Sequence, residues 1–186
     1  MSTAPVRSAL LIDEIASPLG RIVIAARDGR LWALEFWRAR IARHLTARFP
    51  GSRRRRLRDP FGISTKLRAY LSGDPTPDDR IAVKTGGTAF QRRVWHALRA
   101  IRAGRTMSYA AMARAIGHRA AVRAVGAANG RNPIWIVVPC HRLVGEDGAP
   151  TGYGGGLWRK RWLLEHEGAA DPAARATRPS GARRRG

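Results

Sequence analysis

The sequence predicts an α+β fold, with a small N-terminal α/β domain of antiparallel hairpin strands followed by a mainly helical C-terminal domain containing a helix-turn-helix. Three observations predict it. "ALLIDEIASPLGRIVIAARDGRLWALEFW" holds three short β-rich runs divided by turn signals. From Thr88 onward the apolar residues recur at helical spacing instead, as Phe90, Val94, Leu98 and Ile101. Two further short helical segments then meet at Gly117-His118, which spells a helix-turn-helix. With 186 residues, 44% of them hydrophobic, the chain can bury a sizeable core.

Taken in order, Pro18-Leu19-Gly20 and Asp28-Gly29 separate the first three strands, and Asp-Gly between apolar runs is a strong hairpin cue. A helix is expected over "RARIARHLTARF", stopped by Pro50-Gly51. The basic run in "GSRRRRLRDP" reads as a solvated loop that adds non-specific attraction for phosphate. "FGISTKLRAYLSGD" predicts another helix, "PTPDD" a linker and "IAVK" a short strand. A domain boundary is placed at the following Gly86-Gly87, giving residues 1–85 and 86–170, with a basic, disordered tail over 171–186. In the second domain Thr88 and Gln91 form a capping-box pattern. Ser108 caps the helix in "SYAAMARAIG", Gly117 ends it, and "RAAVRAVGAANG" makes the next helix. A glycine-rich loop, "GEDGAPTGYGGG", leads into a closing helix over "LWRKRWLLEHEG".

Composition narrows the function. Thirty-five basic residues against 13 acidic give a net charge of +22, which favours a polyanionic partner, nucleic acid before an anionic membrane surface. The plainer alternative is an arginine-heavy solvated surface. No run of about 20 apolar residues exists to span a membrane. Asp13 and Glu14 interrupt the apolar part of the N-terminus, which argues against a signal peptide. The single cysteine forms no internal disulfide and builds no thiolate metal cage. An intracellular, cytoplasmic protein is expected.

That cysteine, Cys140, follows a β-branched run in "NPIWIVVPCHRLVG". A free cysteine is either an inert buried residue or a nucleophile with a tuned pKa. Pro139 breaks regular strand pairing, so a special turn is expected there. Neighbours on an extended strand face opposite ways, so a direct Cys140–His141 dyad is awkward and a relay through a turn or a water is easier. The second helix of the helix-turn-helix is also unusual. It carries Ala121, Ala124 and Gly126 among other small residues, with Arg123 as its long side chain. Such a surface suits close approach to a narrow minor groove with one inserted arginine, or else it is a core-packed helix with one solvated arginine.

"TAFQRRVWHALRAI", "TMSYAAMARAIG", "AVRAVGAANGRNP", "IVVPCHRLVG" and "LLEHEG" together resemble the O6-alkylguanine-DNA alkyltransferases, over about residues 86–168 and in the right order. The N-terminal half resembles that family's α/β domain only loosely, through the "SPLG" hairpin and the strand pattern. The resemblance implies single-turnover repair of double-stranded DNA by transfer of an alkyl group from O6-alkylguanine to Cys140. It implies that His141 activates the thiol through a bound water, that Glu167 orients His141, and that Asn132 braces the turn. Tyr109 then protonates the leaving guanine, and Arg123 fills the stack after base flipping. Ala121, Ala124, Gly126 and Ser108 are expected on the DNA face. Trp135, Leu143, Tyr153, Gly154 and Gly155 are expected around the substrate pocket, with the carbonyls of Cys140 and Leu143 reading the guanine edge. A monomer is implied, nucleoid-associated if bacterial, with no cofactor and no metal.

Three departures from the family pattern stand out. Arg102 replaces a proline, Gly154 stands where some members carry serine, and Trp135 occupies a position that usually holds a small residue or proline. The zinc ligands of some relatives have no counterpart. A non-catalytic lesion-recognition protein of the alkyltransferase-like kind is the alternative, but those relatives lack the cysteine that is present here in an intact "PCHR". A cysteine hydrolase would need a separate histidine and an orienting amide, for which there is no recognisable pattern.

Overall fold

The computed structural model describes residues 9–37, 41–74 and 80–169. The linker expected at 75–79, the tail at 171–186 and the first three residues of the helix expected from 38 lie outside them. Strands β1 (Leu10–Ile15), β2 (Ile22–Arg27) and β3 (Arg30–Phe36) form two successive antiparallel hairpins. The second turns on Asp28 and Gly29, both with positive φ, so the two-residue loop matches the strand twist. β2 is buried along its whole length because both faces of the sheet are covered. Ile22, Ile24 and Ala26 point into the main core, whereas Val23 and Ala25 pack with Leu45 and Phe49 at helix α1 (Ile41–Arg48).

Two expectations change here. The basic run is not all loop: Arg54–Arg56 form a short strand, β4, paired in parallel with β1 at the edge of the sheet. Its three arginine side chains are exposed, so backbone pairing alone makes the strand and charge keeps the edge from recruiting another chain. The strand expected over "IAVK" shrinks to one bridge, Val83 against Leu31.

Helix α2 (Ile63–Leu71) docks against the sheet through Asp13 of β1, which accepts hydrogen bonds from Ser64 Oγ at 2.5 Å and the Asp59 amide at 2.9 Å. Helix α3 (Ala89–Arg99) begins with the capping box expected at Thr88 and Gln91, both of its hydrogen bonds being formed. Ser108 closes strand β5 (Met107–Ser108) and caps helix α4 (Tyr109–Ala115). Helix α5 (Val122–Gly130) follows a turn at Gly117, whose φ of 78° is left-handed. Strand β6 (Leu143–Val144) pairs in parallel with β5, and helix α6 (Leu157–His166) closes the described chain.

One hydrophobic core joins the halves, with Ile24, Leu34 and Tyr70 packed in the same cluster as Val94, Val125 and Leu163. β3 makes the covalently silent link: Leu34 donates to Pro133 O at 3.0 Å and accepts from the Trp135 amide at 2.9 Å. The segment that leads to the cysteine is therefore hung on the edge of the N-terminal sheet.

Candidate active site

The β-branched run before Cys140 is not a strand. After its single bridge at Ile134 the chain coils through turns, and Cys140–Arg142 form one turn of 3₁₀ helix. Ile136 has a φ of 69°, a conformation that a β-branched residue adopts only when its surroundings impose it. Asn132 supplies that constraint. Its Oδ1 accepts from the Ile134 amide at 3.0 Å and its Nδ2 donates to Val138 O at 2.7 Å, spanning the coil from both ends. Asn129 Nδ2 adds a bond to Cys140 O at 3.2 Å.

Cys140 is buried at a cavity of about 380 Å³ lined also by Tyr109, Gly126, Asn129, Gly130, Trp135, Gly152, Tyr153 and Gly154. Burial pushes the thiol pKa up, while Asn132, the Lys160 ammonium and Tyr153 favour the thiolate. Lys160 is itself buried; its Nζ donates to Leu143 O and, at 2.7 Å, to Thr151 O. Burial lowers its pKa to about 8, against the pull of Cys140, so it stays largely charged at pH 7. Burial and Cys140 raise Tyr153 well above the ordinary phenol value, and burial raises Tyr109, whose hydroxyl donates to Thr151 O at 3.4 Å.

His141 faces away from the cavity. Its Nε2 lies 2.9 Å from Glu167 Oε1, and because a carboxylate only accepts, Nε2 carries the proton. Nδ1 is then the basic nitrogen, buried and with no hydrogen-bond partner among the described residues. Glu167 is gripped by Arg142 through Nε to Oε2 at 2.9 Å and Nη2 to Oε1 at 2.8 Å, and Tyr70 donates its hydroxyl to Oε1 at 2.6 Å. Burial works to raise the pKa of this carboxylate, but His141 and Arg142 overcome it and hold the group well below the usual range. Arg142 also donates to Ile101 O, which anchors the turn that carries Arg102 in place of proline.

The structure thus gathers Cys140, Tyr109, Trp135, Tyr153, Gly154 and Gly126 at one cavity and sets Asn132, His141 and Glu167 behind it. Leu143 and Gly155 also stand behind the lining. The Leu143 carbonyl accepts from Lys160, and a Cβ on Gly155 would meet Phe36 and Tyr153 at 2.9 Å. Trp135 turns inward, its Nε1 donating to Asn132 O at 2.8 Å and its ring packed between Phe36 and Tyr153. A Cβ on Gly154 would come within 3.3 Å of that ring, so the tryptophan and the glycine are one adjustment: the indole occupies the room a serine would need.

On α5, Arg123 and Ala124 are exposed, while Val125, Ala128 and Asn129 face the core. Ser108 is committed elsewhere, accepting from the Ala111 amide and donating to Glu146 at 2.8 Å. Sequence reasoning missed Lys160, Asn129, Arg142 and Tyr70. For Lys160 a signal existed, since positions 160, 163, 164 and 167 share one face of α6.

A sequence model described as "6-O-methylguanine DNA methyltransferase, DNA binding domain" matches residues 89–169. The methylated-DNA–protein-cysteine methyltransferase of Salmonella typhimurium is 48% identical over 164 residues, covering 86% of this chain and 96% of that protein. The protein of the same name from Mycobacterium tuberculosis is 44% identical over 162 residues, 86% of this chain and 93% of its own. Among solved structures, Mycobacterium tuberculosis OGT in complex with DNA superposes with a TM-score of 0.75 at 39% identity, covering 88% of this chain and 98% of that one. The O6-methylguanine-DNA methyltransferase of the archaeon Pyrococcus kodakaraensis gives a TM-score of 0.66 at 27% identity, over 86% and 99%.

The carboxylate can be tested by Glu167→Gln. Its folded pKa lies below the unfolded value of 4.5, so its ionised form contributes stability above that pH, lost as the pH falls. At pH 7 the substitution strands buried Arg142 and lowers stability by about 3–5 kcal/mol. Urea midpoints should therefore differ most near neutrality and converge below pH 4.5. A gap that stays constant with pH shows that the fold does not hold Glu167 ionised.

Proposed function

The chain belongs to the methylated-DNA–protein-cysteine methyltransferase family, and from that premise we infer the roles of the residues around its cavity. It is a DNA-repair transferase that moves an alkyl group from alkylated guanine in DNA directly to a cysteine of its own. Cys140 is its only cysteine and is our assigned acceptor. One observation carries the assignment: this buried thiol lines a cavity, one residue from a buried His141–Glu167 pair.

In this reading the thiol proton passes to His141 Nδ1 through a bound water. The thiolate attacks the O6-alkyl carbon in line, forming a C–S bond as the C–O6 bond breaks. The electron pair leaves with guanine, which takes a proton from the Tyr109 hydroxyl, and His141 returns the first proton to the tyrosine. Lys160 balances the thiolate before attack. A thioether does not hydrolyse at neutral pH, so each molecule reacts once. α5 lies in the minor groove, its small exposed residues allowing close approach, and Arg123 fills the stack left by the flipped nucleotide. The exposed Arg54–Arg56 and the rest of the basic surface give affinity without sequence preference. Residues 86–170 form the transfer unit, and 1–85 brace it. The protein acts as a monomer in the cytoplasm, at the nucleoid in a bacterial cell, without cofactor or metal.

Incubation with duplex DNA carrying O6-methylguanine is expected to add one methyl group to the intact mass, and peptide mapping to put it on Cys140. Cys140→Ser should bind the same DNA without gaining mass. Turnover of substrate in excess of protein overturns the reading. Arg123→Ala is expected to slow repair of duplex DNA roughly tenfold or more, while reaction with a free O6-alkylguanine base changes little, since only a duplex has a stack to fill. Equal losses on the two substrates return Arg123 to an ordinary solvated side chain.

Trp135 bears on the size of the alkyl group. Its indole is held by Asn132 and by two aromatic neighbours, so it cannot swing aside cheaply. Methyl should be accepted, and benzyl should transfer more slowly by about tenfold or more, the cost of overpacking a filled site. Trp135→Ala should narrow the ratio of methyl to benzyl rates. If the unmodified protein transfers benzyl as fast as methyl, the indole does not limit the pocket.

A further inference from the structure

Glu167 meets a donor from an element that the transfer chemistry has not so far required. Tyr70 lies on α2, 97 residues away in the chain, and is 1% exposed. Its hydroxyl sits 2.6 Å from Glu167 Oε1, the same oxygen that His141 Nε2 meets at 2.9 Å and Arg142 Nη2 at 2.8 Å. The rest of the residue is fixed at two other points. His166 Nε2 lies 2.6 Å from Tyr70 O, and the two rings pack edge to face with centroids 5.4 Å apart. α2 is in turn docked on β1 through Asp13 and Ser64. The hydroxyl is thus delivered by a helix docked on the N-terminal sheet.

We propose that Tyr70 is a positioning residue for alkyl transfer, setting the orientation and basicity of Glu167 and through it the proton affinity of His141. This rests on the reading of His141 as the base that takes the thiol proton. Arg142 alone could hold both carboxylate oxygens in a planar fork, so Tyr70 is not needed to satisfy Glu167. What it adds is a third donor on the one oxygen that His141 shares. A carboxylate oxygen that accepts an additional hydrogen bond is a weaker base and stabilises an imidazolium less. With Nε2 held by Glu167, Nδ1 is the nitrogen left open. The charged and titratable groups facing this cluster are Arg142 from the 3₁₀ turn, His166 from the end of α6, and Tyr153, which interacts electrostatically with Tyr70. None of them shares Oε1 except Arg142, which does not titrate in this range.

Tyr70→Phe removes the hydroxyl while leaving the ring for His166. Single-turnover transfer from an O6-methylguanine duplex would be followed from pH 5.5 to 9, alongside Glu167→Gln and the double variant, with thermal melts to establish the folded fraction. The expected result is a rate at pH 7 lower by about three- to tenfold, with the rising limb of the profile moved up by roughly half a unit to one unit and the plateau at high pH largely regained. In the Glu167→Gln background Tyr70→Phe should move the limb no further. If Glu167→Gln slows transfer and Tyr70→Phe changes only the melting temperature, Tyr70 is a packing residue and the proposal fails alone. If Glu167→Gln itself leaves rate and profile untouched, the relay reading fails, and this proposal with it.

Discussion

A carboxylate taken out of water is the constraint around which this molecule is arranged. The Glu167 side chain is 1% exposed, and an isolated buried charge of that kind is costly by several kcal/mol. Its two oxygens receive bonds from Arg142, His141 and Tyr70. Each donor serves a different part of the protein. Arg142 continues to Ile101 O and ties down the turn after α3. His141 is fixed in the tautomer that leaves Nδ1 basic. Tyr70 carries the connection into the N-terminal half. Remove the charge, and the 3₁₀ turn bearing Cys140 loses the group that orients its next two residues.

The cavity depends on a second scaffold, the edge of the N-terminal sheet. β3 receives the coil before Cys140 through two backbone bonds at Leu34. Phe36, two residues on, packs against Trp135 and leaves no room for a Cβ at Gly155. Arg159 completes the clamp, lying over the Phe36 ring and donating to both Leu19 O and Gly155 O. The N-terminal half is therefore a wall of the site and not a spacer. The departures at Trp135 and Gly154 follow from that wall, because a large ring against Phe36 needs the neighbouring loop to carry no side chain.

How much of this was legible in the sequence depended on whether the signal was local. The hairpin at Asp28-Gly29, the capping box at Thr88 and Gln91 and the Ser108 cap were readable because each is decided within a few residues. β4 was not, since Arg54–Arg56 carry no β pattern and pair only because β1 offers a free edge. The β-branched "IWIVV" misled in the opposite direction: Asn132 and a left-handed Ile136 coil it into turns despite its strand propensity. In the site, Cys140, His141 and Glu167 stood out through the "PCHR" and "EHEG" motifs. Lys160 could have been found from its spacing to Leu163, Leu164 and Glu167 on one helical face. Tyr70 could not, because nothing near it in the chain marks a residue whose partner lies 97 positions away.

The thiol shows how a strongly basic protein keeps one nucleophile quiet. Most of the arginines among the described residues are exposed, where water and salt screen them, and they do little for a group 3% exposed. Burial acts on Cys140 first and raises its pKa, so the resting side chain is a neutral thiol. Lys160 brings a buried positive charge to bear on it, and that ammonium is pinned by the carbonyls of Leu143 and Thr151. The Lys160 ammonium and the His141 imidazole are thus separate groups with separate partners. A thiolate formed here would have part of its charge balanced by that ammonium. The sulfur opens on a cavity whose walls include Tyr109, Trp135 and Tyr153.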